Sequence, residues 1–173
     1  MAQRKKEIAK ATESFGFSSV VELGFPAAGL DRVPQVELFS AIGDAIKKIQ
    51  PEIVYLPHSG DVHSDHRIVF DAVISCTKSF RNPFIRRLLS YETLSETEFG
   101  LDPNGEAFRP NVFVDVSRFA AKKIKILRLY RSELGKFPFP RSEKAVQALM
   151  ALRGAASNCK AAEAFMLLKE ISG

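Results

Sequence analysis

The three histidines of this sequence, His58, His63 and His66, fall within nine residues of one another and share that stretch with Asp61 and Asp65. Imidazole and carboxylate groups are the usual oxygen and nitrogen ligands of zinc, and imidazole is the side chain that gains and loses a proton near neutral pH. A lone histidine or aspartate in a polar loop most often caps or bonds locally. Three histidines and two acids together point instead to a site. The spacing supports this: His66, in the first turn of a following helix, can turn a ring nitrogen inward, and His63, just before that turn, can face a substrate bound at the same place. Asp65 between them can accept a hydrogen bond from an imidazole N–H and so fix its tautomer. His58 and Asp61 are read as residues that shape the loop.

The elements around the cluster are legible from their periods. Ile53-Val54-Tyr55-Leu56, directly before it, is a short apolar run closed off by Pro51 and Pro57 and predicts a buried strand. Val69, Ala72, Val73 and Cys76 after it repeat at helical spacing, with Ser64 as the expected N-cap. The cluster therefore sits in a strand-to-helix loop, where open α/β sheets collect their ligands. Residues 3–15 predict a polar helix, Val20 to Leu23 a short strand, and Leu38, Ile42, Ala45, Ile46 and Ile49 a helix ended by Pro51. Ile85 to Tyr91 and Val112 to Val116 are expected strands, and 120–134 and 143–155 expected helices. The run from Glu163 to Lys169 fits either a strand or a terminal helix. Alternating helices and strands favour an α/β fold with a mostly parallel sheet, because parallel neighbours need crossovers.

Length and composition narrow the class. With 173 residues, 46% hydrophobic and 26% charged, the chain has the balance of one globular domain. The net charge of +5 is spread among acids along several expected helices, so it marks solvated faces and no nucleic-acid partner. Two distant cysteines, Cys76 and Cys159, give no disulfide or zinc-knuckle framework and fit a cytoplasmic setting. No apolar run approaches the roughly 20 residues of a membrane span.

The string Tyr55-Leu-Pro-His-Ser-Gly-Asp-Val-His-Ser-Asp-His-Arg67 resembles the His-x-Asp-His motif of the PIG-L/LmbE-like zinc-dependent de-N-acetylases. Leu23-Gly-Phe-Pro, Tyr91-Glu-Thr, Pro140-Arg-Ser, Arg153-Gly and Ala162-Glu-Ala-Phe support the resemblance along most of the chain. It implies a Rossmann-like three-layer α/β sandwich whose N-terminal strands are missing, with residues 1–173 forming a single, N-terminally incomplete deacetylase domain. It also implies hydrolysis of an N-acetyl group from an amino sugar or glycoconjugate. By the same resemblance His66 is a Zn2+ ligand, His63 the histidine that stabilises the oxyanion or protonates the leaving amine, and Asp65 its orienting partner. Arg141 and Glu163 become substrate contacts.

The His-Pro-Asp-Asp segment with which the family supplies two further zinc ligands and a general base has no counterpart in this sequence. That leaves one of the three protein ligands a catalytic zinc usually takes. The expectation is a truncated deacetylase with impaired activity, or else a fragment completed by a separate N-terminal piece; a homo-oligomer and that complementing fragment are the expected protein partners. The competing reading is a non-catalytic homologue that acts as an interaction or scaffold domain.

Overall fold

The computed structural model describes residues 2–102, 105 and 107–173. Its elements are α1 (Ala2–Phe15), a 3-10 turn (Leu30–Arg32), α2 (Gln35–Ile49), β1 (Ile53–Pro57), α3 (Ser64–Cys76), β2 (Arg87–Tyr91), β3 (Val112–Asp115), α4 (Ala120–Leu127), α5 (Glu143–Ala156) and β4 (Ala162–Glu170). The chain divides into two compact units, Met1–Val21 with Phe113–Glu163, and Glu22–Val112 with Ala164–Gly173.

The second unit carries the histidine loop. Leu38, Ile42 and Ile46 line one face of α2, as the four-residue repeat requires, and meet Ala72 and Val73 of α3, Leu56 of β1 and Leu88 of β2. Helix α2 stops where Gln50 takes a left-handed conformation ahead of Pro51. Strand β1 pairs with β2 in parallel, Val54 opposite Leu88 and Leu56 opposite Ser90, and α3 is the crossover between them. Strand β1 is not buried throughout as expected, since Ile53 and Tyr55 are exposed, but its buried end at Leu56 and Pro57 leads into the loop that holds the histidines.

The α/β class is borne out, but the sheet is not mostly parallel. Its order is β1-β2-β4-β3, and parallel pairing is confined to β1 and β2, because β4 runs antiparallel to β2 with a register shift at Leu88/Leu89. The ambiguous segment near the C-terminus is therefore a strand, its period settled by the neighbour it pairs with. The strand expected at Val20 to Leu23 does not form. Its β-branched residues suit a strand, but it has no ladder partner, and Val20, Val21 and Leu23 are exposed. Helix α4 ends at Leu127, short of 134, as bonds from Leu129 to Ile126, Tyr130 to Leu127 and Glu133 to Tyr130 tighten the chain into three-residue turns.

In the first unit a buried acid does the tying. Glu7 of α1 is 3% exposed and accepts hydrogen bonds from Gln3 Nε2 at 3.0 Å and Ser132 Oγ at 2.9 Å. These bonds, the Gln3 amide foremost, hold its carboxyl below the ordinary range. Ser142 caps α5 by accepting from Ala145 N–H, and Arg128 makes a two-pronged bond to Glu143 at 2.8 Å on each arm.

Leu56→Ala should lower the unfolding free energy by about 3 kcal/mol, whereas Val36→Ala, at a residue 74% exposed, should change it by less than about 0.5 kcal/mol; urea titrations of both variants give the comparison. For Glu7 the folded carboxyl lies below its unfolded value, so its stabilisation is complete above the unfolded pKa and is lost as pH falls through the folded one. Thermal midpoints measured from pH 7 down to pH 3 should therefore fall less steeply in Glu7→Gln than in the parent.

Candidate active site

His63, Asp65 and His66 all lie at the start of α3. The cap of α3 is His63 itself and not the expected Ser64: its ring Nδ1 accepts the Asp65 N–H at 3.1 Å, satisfying one of the helix's unpaired first-turn donors. An accepting Nδ1 places the proton of the neutral ring on Nε2. His63 thus presents an N–H donor without having to be cationic.

Asp65 reaches away from His63. Its carboxylate accepts Ala28 N–H at 2.7 Å on Oδ2 and Leu30 N–H at 3.1 Å on Oδ1, tethering the 24–31 loop to the start of α3. Ala28 stands at φ 54, a left-handed conformation that costs a residue with a Cβ roughly 1–2 kcal/mol. The bond to Asp65 holds it there. Asp65 and His63 are joined through the Asp65 backbone, not through the side-chain bond that the sequence suggested.

His66 is the best-supported of the three side chains. Its Nδ1 lies 2.7 Å from Oδ2 of Asp61, whose side chain has no exposure to solvent. That hydrogen bond raises the His66 pKa above its ordinary value, against the opposing pull of partial burial. When Nδ1 carries the hydrogen toward Asp61, Nε2 is left with its lone pair, the state a metal ligand requires. The His63 and His66 rings stack with centroids 5.1 Å apart. Burial, and then the Asp61 charge, push the Tyr91 phenol at the end of β2 upward, so it stays protonated near neutral pH.

Asp61 and Thr97 were not among the expected site residues. The other Asp61 oxygen, Oδ1, accepts Thr97 Oγ1–H at 2.6 Å, and Val62 N–H bonds Glu96 C=O at 3.1 Å. The Asp61 signal was present in the sequence as a second acid in the histidine loop; nothing in the sequence pattern marked Thr97. His58, 2% exposed, packs edge-on against Phe108 at 5.4 Å, which agrees with its reading as a loop-shaping residue. Arg141 and Glu163 lie in the other unit. There Arg141 sits over the Phe139 ring with Nη1 3.4 Å from Glu133, and Glu163 accepts from Lys123 Nζ at 2.8 Å.

Among the described residues no three His, Cys, Asp or Glu side chains gather so as to hold a metal ion. The local chemistry offers one prepared imidazole, and the donors present do not make a complete zinc site.

Comparison with known proteins agrees with the resemblance drawn from the motif. Residues 1–77 match the family model described as PIG-L: GlcNAc-PI de-N-acetylase. The conserved protein TT1542 from Thermus thermophilus has a similar structure, with a TM-score of 0.76 and 25% identity over 99% of this chain and 75% of that one. N,N'-diacetylchitobiose deacetylase from Pyrococcus horikoshii superposes at 0.73 with 18% identity over 97% of this chain and 64% of its own. The zinc-inhibited form of teicoplanin deacetylase Orf2 does so at 0.66 with 16% identity over 99% and 76%. The chain thus shares the fold of these structures and spans about two thirds to three quarters of each of them.

Asp65→Ala removes both acceptors at once and should destabilise the protein by about 2–4 kcal/mol. Adding Ala28→Gly, which relieves the left-handed residue, should recover part of that loss; guanidinium unfolding of the single and double variants measures both effects.

Proposed function

We propose that the protein is a de-N-acetylase-type hydrolase acting on an N-acetylated amino sugar or glycoconjugate, in a zinc-dependent reaction to which this chain contributes the ligand His66. The observation that carries the reading is the Asp61–His66 pair: a buried carboxylate on Nδ1 leaves Nε2 free, the arrangement that orients imidazole ligands in metal sites. The family match over residues 1–77 and the deacetylase neighbours supply the reaction class.

Within the chain the other roles follow from hydrogen bonding. His63, with its proton on Nε2, donates to the oxyanion that forms when an amide carbonyl is attacked, a contact whose removal typically costs about 3 kcal/mol of activation energy. Asp65 contributes by holding both the helix start and the Ala28 loop in place. Arg141 and Glu163, the substrate contacts that the resemblance implies, are each engaged in their own unit with Glu133 and Lys123. Such half-exposed ion pairs are worth under about 1 kcal/mol.

Because the described residues bring one metal donor to the site, the reading assigns the remaining ligands and the general base to a preceding segment of a longer chain or to a separate polypeptide. No helix among the described residues is long and apolar enough to cross a membrane, and the proposed setting is cytoplasmic. The competing scaffold reading draws on the same incomplete donor set.

Zinc content and acetate release from N-acetylglucosamine-type substrates, measured on this chain and on a version extended upstream in its own reading frame, separate the two readings. The extended protein should bind one zinc and turn over, His66→Ala should abolish both, and His58→Ala should retain the metal. In the active form His63→Ala should lower kcat about 100- to 1,000-fold with KM little changed. If neither version binds zinc or releases acetate, the scaffold reading replaces this one.

A further inference from the structure

We propose that Thr97 is a positioning residue that holds the Asp61 carboxylate against His66 Nδ1 and so keeps Nε2 the bare nitrogen. The inference rests on His66 being the ligand of the proposed function, and it concerns how its ring is set. Four groups form one chain of hydrogen bonds: Thr93 N–H to Thr97 Oγ1 at 2.8 Å, Thr97 Oγ1–H to Asp61 Oδ1 at 2.6 Å, and Asp61 Oδ2 to His66 Nδ1 at 2.7 Å.

The polarity of this chain is set by its carboxylate, which offers no proton to either neighbour. A backbone N–H can only donate, so Thr97 accepts there and directs its single hydroxyl proton at Asp61. An ionised carboxylate can only accept, so it receives Thr97 on one oxygen and the His66 Nδ1–H on the other. The carboxylate places the proton of a neutral His66 on Nδ1, and Thr97 holds the carboxylate in the orientation that keeps it there. Nε2 is then the only ring position with a lone pair.

The segment bearing Thr97 is clamped onto the histidine loop at two further points. Val62 N–H bonds Glu96 C=O at 3.1 Å, and Gly100 packs so closely on the Gly60 carbonyl that an added Cβ would collide with backbone. Thr97 is itself pinned by its own turn, with Thr97 N–H to Thr93 C=O at 2.9 Å and Gly100 N–H to Thr97 C=O at 3.2 Å. Asp61, with no side-chain exposure, has no bulk water to replace a lost partner. Removing the Thr97 hydroxyl would free one carboxylate oxygen and let the group turn, loosening its hold on His66.

Long-range proton–nitrogen NMR of the His66 ring in mildly alkaline buffer reports the tautomer and the exchange of the Nδ1 proton, whether or not metal binds or substrate turns over. The parent chain should show a bare Nε2 and a slowly exchanging Nδ1 proton. Thr97→Val, which keeps the shape and removes the hydroxyl, should speed that exchange about tenfold or more and raise the share of the Nε2–H form. Thr97→Ser should match the parent, and Gly100→Ala, which lifts the segment without touching Asp61, should move the ring signals in the same direction as Thr97→Val. An unaltered His66 ring in a folded Thr97→Val overturns the proposal, as does Thr97→Ser behaving like Thr97→Val. Should Thr97→Val fail to fold, the parent spectrum still decides: a predominantly Nε2–H His66 refutes the proposal.

Discussion

A carboxylate taken out of water must be given hydrogen-bond donors, and Asp61 has no side-chain exposure. The geometry of the histidine loop follows from meeting that demand. One oxygen takes the Thr97 hydroxyl and the other takes His66, which draws a segment after β2 onto the loop after β1. The parallel pairing of β1 with β2 is what brings those two loops to the same end of the sheet. Sheet topology brings the two loops together, and burying one acid between them then fixes the loop packing and the ring orientation.

Asp65 repeats this logic on the other side of the helix start. Its two oxygens satisfy Ala28 and Leu30 N–H groups of a loop that otherwise has no ladder to join. The Leu30 side chain, anchored by the same loop, belongs to the α2–α3 core. Position in the first turn of α3 also places its negative charge where the helix dipole favours it. His63 lies between these two acids, and its Nδ1 is committed to capping the helix. The direction of its remaining N–H is therefore set by local backbone structure before any substrate arrives.

Much of this could be read from the residues. Helical and strand periods located α2, β1, α3 and β2, and the concentration of imidazoles and carboxylates located the site, because both signals lie in contiguous sequence. What escaped was non-local. The antiparallel entry of β4 depends on which strand it meets, and nothing in Glu163 to Lys169 encodes a partner. Val20 to Leu23 has strand-like residues but forms no strand, since pairing and not propensity makes one. The cap passed from Ser64 to His63 because an imidazole nitrogen can accept the same N–H that a hydroxyl would. Thr97 is thirty-six positions from Asp61, and a threonine at that separation carries no motif.

The burial of Asp61 does not by itself decide between hydrolase and scaffold. Replacing a buried ionic or polar pair with apolar side chains of similar volume is often neutral or stabilising by about 1–4 kcal/mol. The pair is retained here with a structural effect in hand, because Asp61 joins the Thr97 segment to the histidine loop. The same bonds leave one ring nitrogen of His66 bare, the state a metal ligand requires. A scaffold needs only the first effect, whereas a hydrolase needs both. What distinguishes the two readings is therefore the use made of that nitrogen, and not the burial of the acid.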